Sequence, residues 1–170
     1  MKNYFDSLAR YNRWANRRIY GAVAELSADE IAATRIGFFP SLSKTLNHLV
    51  VADRIWLSRL TATPDPDMKA LDQIVGADFA DLTAQRAALD QRIIDVVGNL
   101  SAARLGEILV YKTMAGSPFE TPINMVLAHM FNHQTHHRGQ AHGMLSGTQV
   151  APPSLDMIVF LREDAAGAAP

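Results

Sequence analysis

The histidines are the residues whose spacing most plainly suggests chemistry. The chain has six, and all but His48 fall in one stretch: His129, His133, His136, His137 and His142. Side chains three and four residues apart stack on one helix face, so His129, His133 and His137 would form a stripe. With His133 as origin, a step of ~100° per residue puts His137 and His129 about 40° to either side. Val126, Gln140 and Met144 share that arc, which makes the stripe part of a core-facing surface. Two imidazoles at i and i+4 can chelate one cation, and a third ligand must then come from elsewhere. His48 is the only histidine outside the cluster and sits among Leu46, Leu49 and Val50. The plainer reading is a hydrogen-bonded polar core. Against it, several neutral imidazoles packed together each need a partner, and a shared cation satisfies their lone pairs at once. Spacing does not separate His129 from His133 and His137 as ligands.

These side chains need helices to hold them. Residues 3–25 carry Phe5, Leu8, Tyr11, Ala15, Ile19 and Val23 at three- and four-residue steps, which predicts a first long helix. Ser27 and Glu30 have the spacing of a capping box for a short second start. A turn at residues 38–41 precedes a helix over 43–60 that carries His48, and Pro64 and Pro66 make 61–67 a loop. A third long helix is predicted over 78–100. Residues 107–120 alternate at Ile108, Val110 and Thr113, and residues 115–118 supply a turn, so a hairpin-like segment fits there. Thr121 as cap and Pro122 as first helical residue open a fourth long helix to Leu145, which carries the histidine stripe. A short helix ends near Arg162, before a frayed tail over 165–170. The expectation is an all-α, single-domain fold over residues 1–170: a four-helix bundle with short extra helices and a hairpin-like segment before the fourth long helix.

Composition narrows the chemistry. With 48% hydrophobic and 19% charged residues and a net charge of −1, the chain reads as a soluble protein, with no nucleic-acid partner and no membrane anchor. The N-terminus lacks the apolar core of a signal peptide, so a cytoplasmic location is expected. There are no cysteines, which excludes disulfides, thiolate ligands and a cysteine nucleophile. Any metal sits on nitrogen and oxygen, and any thiol comes from the substrate. Gln134 follows His133 where a helical metalloprotease would carry its glutamate base, so peptide hydrolysis of that type is not expected.

The segment from Asn132 to Gln140, Asn-His-Gln-Thr-His-His-Arg-Gly-Gln, resembles the signature of the DinB-like family of metal-dependent helical-bundle proteins. Tyr11 to Asn16 is similar to the family's first-helix motif, and Leu46-Asn47-His48-Leu49 with Asp53 and Trp56 is similar to its second-helix motif. Tyr111 to Gly116 looks like the segment before its last long helix. The resemblance implies a homodimer and one divalent metal ion per chain, held by His48, His133 and His137. It takes His129 off the ion, to a place behind the ligands or in the pocket lining. Three imidazoles leave open positions on the ion, which suits zinc or nickel, with iron, manganese and cobalt also compatible. By analogy with family relatives, the expected activity is that of a metal-dependent enzyme on a small molecule, a low-molecular-weight-thiol S-transferase. The alternatives are a metal-dependent hydrolase or isomerase using bound water, and a non-catalytic metal-binding stress protein.

Other residues carry weaker expectations. Asp53 is a candidate for orienting a ligand or taking a proton, with an ordinary helix salt bridge as the plainer reading. Tyr111, Gln140 and His129 are candidate substrate-binding residues. Arg10, Arg13 and Arg17 read as a solvated basic strip, and Trp14 and Trp56 as core or dimer contacts. Gly139, costly inside a helix, suggests close helix approach. Arg138 reads as a surface residue or as one reaching an anionic substrate or a partner subunit. His136 is expected to point off the metal, and His142 to lie at the surface.

Overall fold

Residues 1–168 are described by a computed structural model. Its elements are α1 (Lys2–Val23), α2 (Ala28–Ala32), α3 (Leu42–Leu60), α4 (Phe79–Asn99), β1 (Ile108–Lys112), β2 (Pro118–Pro122), α5 (Ile123–Leu145) and α6 (Met157–Ala165). The starts follow local chemistry. Ser27 and Glu30 form the reciprocal capping box of α2, Ser41 accepts from the Lys44 amide at α3, and Asp78 accepts from the Asp81 amide at α4. Pro122 behaves differently from the expectation. It closes β2 and stands just before α5, outside the helix. The hairpin ladder, which pairs Ile108 with Pro122, claims this residue first. Of the expected frayed tail, Ala165 ends α6 and residues 166–168 leave it in a turn, while residues 169–170 lie outside the described residues.

The four long helices form a bundle in which α1 packs on α4 and α5, and α3 packs on α5 and α4. Helices α3 and α5, the two histidine carriers, are therefore direct neighbours. Their inward stripes are close-packed: Leu42, Leu46, Leu49 and Leu57 of α3 and Leu127 and Leu145 of α5 are wholly buried, alongside Ile19 and Val23 of α1. A fully buried leucine stabilises by roughly 1.5–3 kcal/mol, so this seam holds the histidine-bearing surfaces together. Midway along α1, Tyr11, Trp14 and Phe160 form a separate aromatic cluster that docks α6. There Arg10 pairs with Asp164, and Arg18 with Glu163. Arg10 is thus held against α6, while Arg17 is exposed.

A charged network crosses the middle of the bundle. Arg86 lies 2.8 Å from a carboxylate oxygen of Asp53 and 2.8 Å from one of Asp90. Asp90 accepts from the side-chain amides of Asn12 and Asn16, and Arg138 donates to Asn12, Asn16 and Gln134. All of these residues are buried. Two arginines face two aspartates, so the network is internally neutral, as buried charge has to be. The expected surface position of Arg138 is therefore corrected. It is 2% exposed and joins α5 to α1. Gly139 is corrected too. It faces outward, and a Cβ there would meet nothing within 4 Å. Among the described residues, no helix is long and apolar enough to cross a membrane.

Candidate metal centre

Helix α3 brings His48, and α5 brings His133 and His137 one turn apart, to a common point. One ring nitrogen from each lies within 4.8 Å of the others. The ring centroids are 4.4 Å apart for His133 and His137, 4.6 Å for His48 and His137, and 5.0 Å for His48 and His133. Phe39, from the turn before α3, stacks on His48 at 4.1 Å and shields it on one side. Burial is incomplete, as a site open to a ligand requires: His48 and His137 are buried and His133 is intermediate.

Hydrogen bonds set the protonation of two of the rings. His48 Nδ1 lies 2.7 Å from the carbonyl oxygen of Leu71. A carbonyl can only accept, so the proton sits on Nδ1 and Nε2 presents a lone pair. His137 Nδ1 lies 2.8 Å from Gln140 Oε1. The Gln140 amide is oriented by donating from Nε2 to His136 Nε2 at 3.0 Å, so Nδ1 of His137 also carries its proton. His48 Nε2 and His133 Nε2 face each other at 3.1 Å. One proton can bridge that pair, whereas a cation engages the third nitrogen as well. Burial holds all three imidazoles below their ordinary pKa, and His133, next to three other rings, is pushed down to about 3. Neutral, Nε2-presenting imidazoles are the form that ligates metal, so this donor set fits a divalent ion.

Two cavities meet at the triad. One, of ≈ 420 Å³, is bounded by His48 and His133 and by Trp56, Arg59, Tyr111 and His129. The other, of ≈ 600 Å³, reaches the same two histidines and His137 from the side of Phe38, Phe39 and Lys44. Leu71 borders both.

The family model described as "DinB family" matches residues 1–166. The chain belongs to the DinB family. Protein DinB of Bacillus subtilis (strain 168) is 25% identical over 168 residues, covering 95% of this chain and 96% of that protein. A DinB-like protein from Bacillus cereus ATCC 10987, known from a crystal structure, superposes with a TM-score of 0.64 at 18% identity. It covers 83% of this chain and 90% of that one, and so shares the fold.

In this DinB-family chain the other expected site residues divide. His129 and Tyr111 line the smaller cavity; His129 is exposed at its edge and packs edge-on against Trp56 at 5.3 Å. Trp56 accordingly packs against the core, as expected, and also forms a wall of this cavity. Gln140 lines neither cavity and serves to orient His137. Asp53 is 1% exposed, paired with Arg86 and bonded by Gln134. Burial pushes its carboxyl up to about 6 against the pull of Arg86. Its salt bridge is between helices instead of along one. His136 stands off the triad and touches it through Gln140. His142 is half-buried, within hydrogen-bonding distance of the Pro153 carbonyl. Sequence reasoning missed the Leu71 carbonyl, Phe39 and Arg59. A backbone oxygen in a loop leaves no residue signature, whereas the Phe38-Phe39 pair beside a proline was a legible aromatic signal.

Proposed function

We propose that this chain is a divalent-metal-dependent enzyme that acts on a small molecule, and specifically a low-molecular-weight-thiol S-transferase. The observation that carries the reading is the convergence of three neutral imidazoles at the junction of two cavities. His48, His133 and His137 would hold a zinc or nickel ion, which would supply the Lewis acidity that lowers the pKa of a thiol or water. The chain's own residues do the rest. The Leu71 carbonyl and Gln140 hold two rings in the ligating tautomer. Phe39, Trp56 and Tyr111 give the surrounding walls an apolar, aromatic surface that limits water.

The reaction joins the thiol sulfur to an electrophilic carbon, releasing the thiol proton and the leaving group. Two cavities suit two reactants. A water-using hydrolase needs a base close by, and the acidic residue nearest in candidacy, Asp53, is engaged by Arg86 and Gln134. Asp72 is the only carboxylate among the residues bounding either cavity, and it is exposed. His129, the base at the edge of the smaller cavity, takes the proton of a thiol, with an ordinary pKa of ~8.5, far more readily than that of water at ~15.7. This favours thiol chemistry over hydrolysis. A homodimer in the cytoplasm belongs to the same proposal, and sedimentation equilibrium checks the dimer.

The test is metal content of untagged protein by plasma mass spectrometry, beside the His133→Ala/His137→Ala double variant. About one ion per chain, lost in the variant, supports the site. Turnover of a biological thiol with an electrophile by the loaded protein then supports the activity. No metal after reloading with zinc and nickel returns the triad to a packed polar core, and a loaded protein that binds no thiol sinks the transferase reading.

A further inference from the structure

We propose that Arg59 makes the smaller cavity a carboxylate-selective subsite, so that the substrate bound there is an apolar small molecule carrying one carboxylate. The identity of the site rests on the function proposed above, while the anion preference itself needs no metal.

Arg59 lies three helical turns from His48 along α3, yet both side chains bound the same ≈ 420 Å³ cavity. The guanidinium stands over the Trp56 ring at 4.6 Å and the Tyr111 ring at 4.9 Å. One of its nitrogens donates to the Lys112 carbonyl at 3.0 Å. These contacts hold the guanidinium at the cavity wall before any ligand arrives, which reduces the entropy lost on binding. Among the described residues Arg59 has no carboxylate partner, a state it shares with Arg13, Arg17, Arg35, Arg92, Arg138 and Arg162, but of these it alone bounds the cavity beside the triad. Apart from the histidines it is the sole ionisable cation bounding this cavity, and no acidic side chain opposes it. Ala52, Ile55 and Leu71 make much of the remaining wall apolar. A planar fork with spare N–H donors matches a carboxylate. A single positive charge matches a monoanion better than a phosphate dianion.

The test is isothermal titration of the full chain with 4-phenylbutyrate and 4-phenylbutanol, which differ in the anionic group and contain no thiol. In metal-free wild type the acid should bind at least tenfold more tightly than the alcohol. In Arg59→Gln the two should bind within about twofold of each other, with Arg59→Lys keeping part of the preference and all variants melting normally. Equal binding of the two by wild type, no binding of either, or a preference that survives Arg59→Gln overturns the proposal.

A second arm uses zinc-loaded protein with 6-mercaptohexanoate and 6-mercaptohexanol. Binding of both thiols without preference, together with equal binding in the first arm, leaves the thiol reading standing and removes the subsite. An acid preference in the first arm with no thiol binding in the second leaves the subsite and removes the thiol reading.

Discussion

Gln140 should control how tightly the triad holds a metal, although it bounds neither cavity. Its Oε1 accepts from His137 Nδ1 at 2.8 Å, and its own amide is locked by His136 at 3.0 Å. Replacing it with alanine leaves His137 free to place its proton on Nε2, the nitrogen the metal needs. Loss of a group that orients a ligating histidine costs about 10–100-fold in metal affinity, or roughly 1.4–2.7 kcal/mol. The lower end is expected here. His48 keeps its own orienting contact to Leu71, and the His137 ring is also packed against Phe39 and His136. Gln140→Ala should therefore weaken zinc binding about tenfold. Gln140→Glu should restore or exceed wild-type affinity, because a carboxylate accepts from Nδ1 more strongly. The assay is competition for zinc against a chromophoric chelator, with thermal melts of the metal-free proteins to confirm the fold. An alanine variant that folds normally and binds zinc within twofold of wild type would refute the tautomer argument.

Arg86→Met should destabilise the chain by about 3–5 kcal/mol in urea unfolding, because Asp53 and Asp90 are then buried without their cation; a loss under 1 kcal/mol would show that water reaches the network. Gly139→Ala should be neutral or stabilise by up to about 1 kcal/mol, since the site is helical, exposed and empty around a Cβ. A clear loss of stability would indicate close contact on that face. The metal-free protein should lose stability as pH falls. His133 has a folded pKa of about 3 against an ordinary 6.5, so below 6.5 the unfolded chain takes up a proton that the folded chain refuses. Wild type should accordingly destabilise more steeply than His133→Gln between pH 6.5 and 4, and parallel curves would contradict the desolvation of that ring.

The long helices were legible because each carries an apolar stripe of helical period, from Leu8 to Val23 in α1 and from Leu46 to Leu60 in α3. The start of the short α2 was legible too, because Ser27 and Glu30 act on each other within three residues, whereas Asp78, placed inside the third long helix by periodicity, stands just before it as its cap. His133 and His137 were bound to share a face because helix geometry alone puts i and i+4 together. Periodicity says which face of a helix is inward but not what it meets. Only packing decided that α3 lies against α5, so that His48 reaches His133 while His129 is left at the cavity edge. Arg138 and Asp53 read as ordinary helical charges because their partners, Asn12, Asn16 and Arg86, lie on other helices. Arg59 likewise gained its place over Trp56 and Tyr111 only when the hairpin folded against α3. Local chemistry acts over a turn or two of chain and is written in the order of residues. A site assembled from several elements depends on which faces meet, and that is settled by burial across the whole bundle.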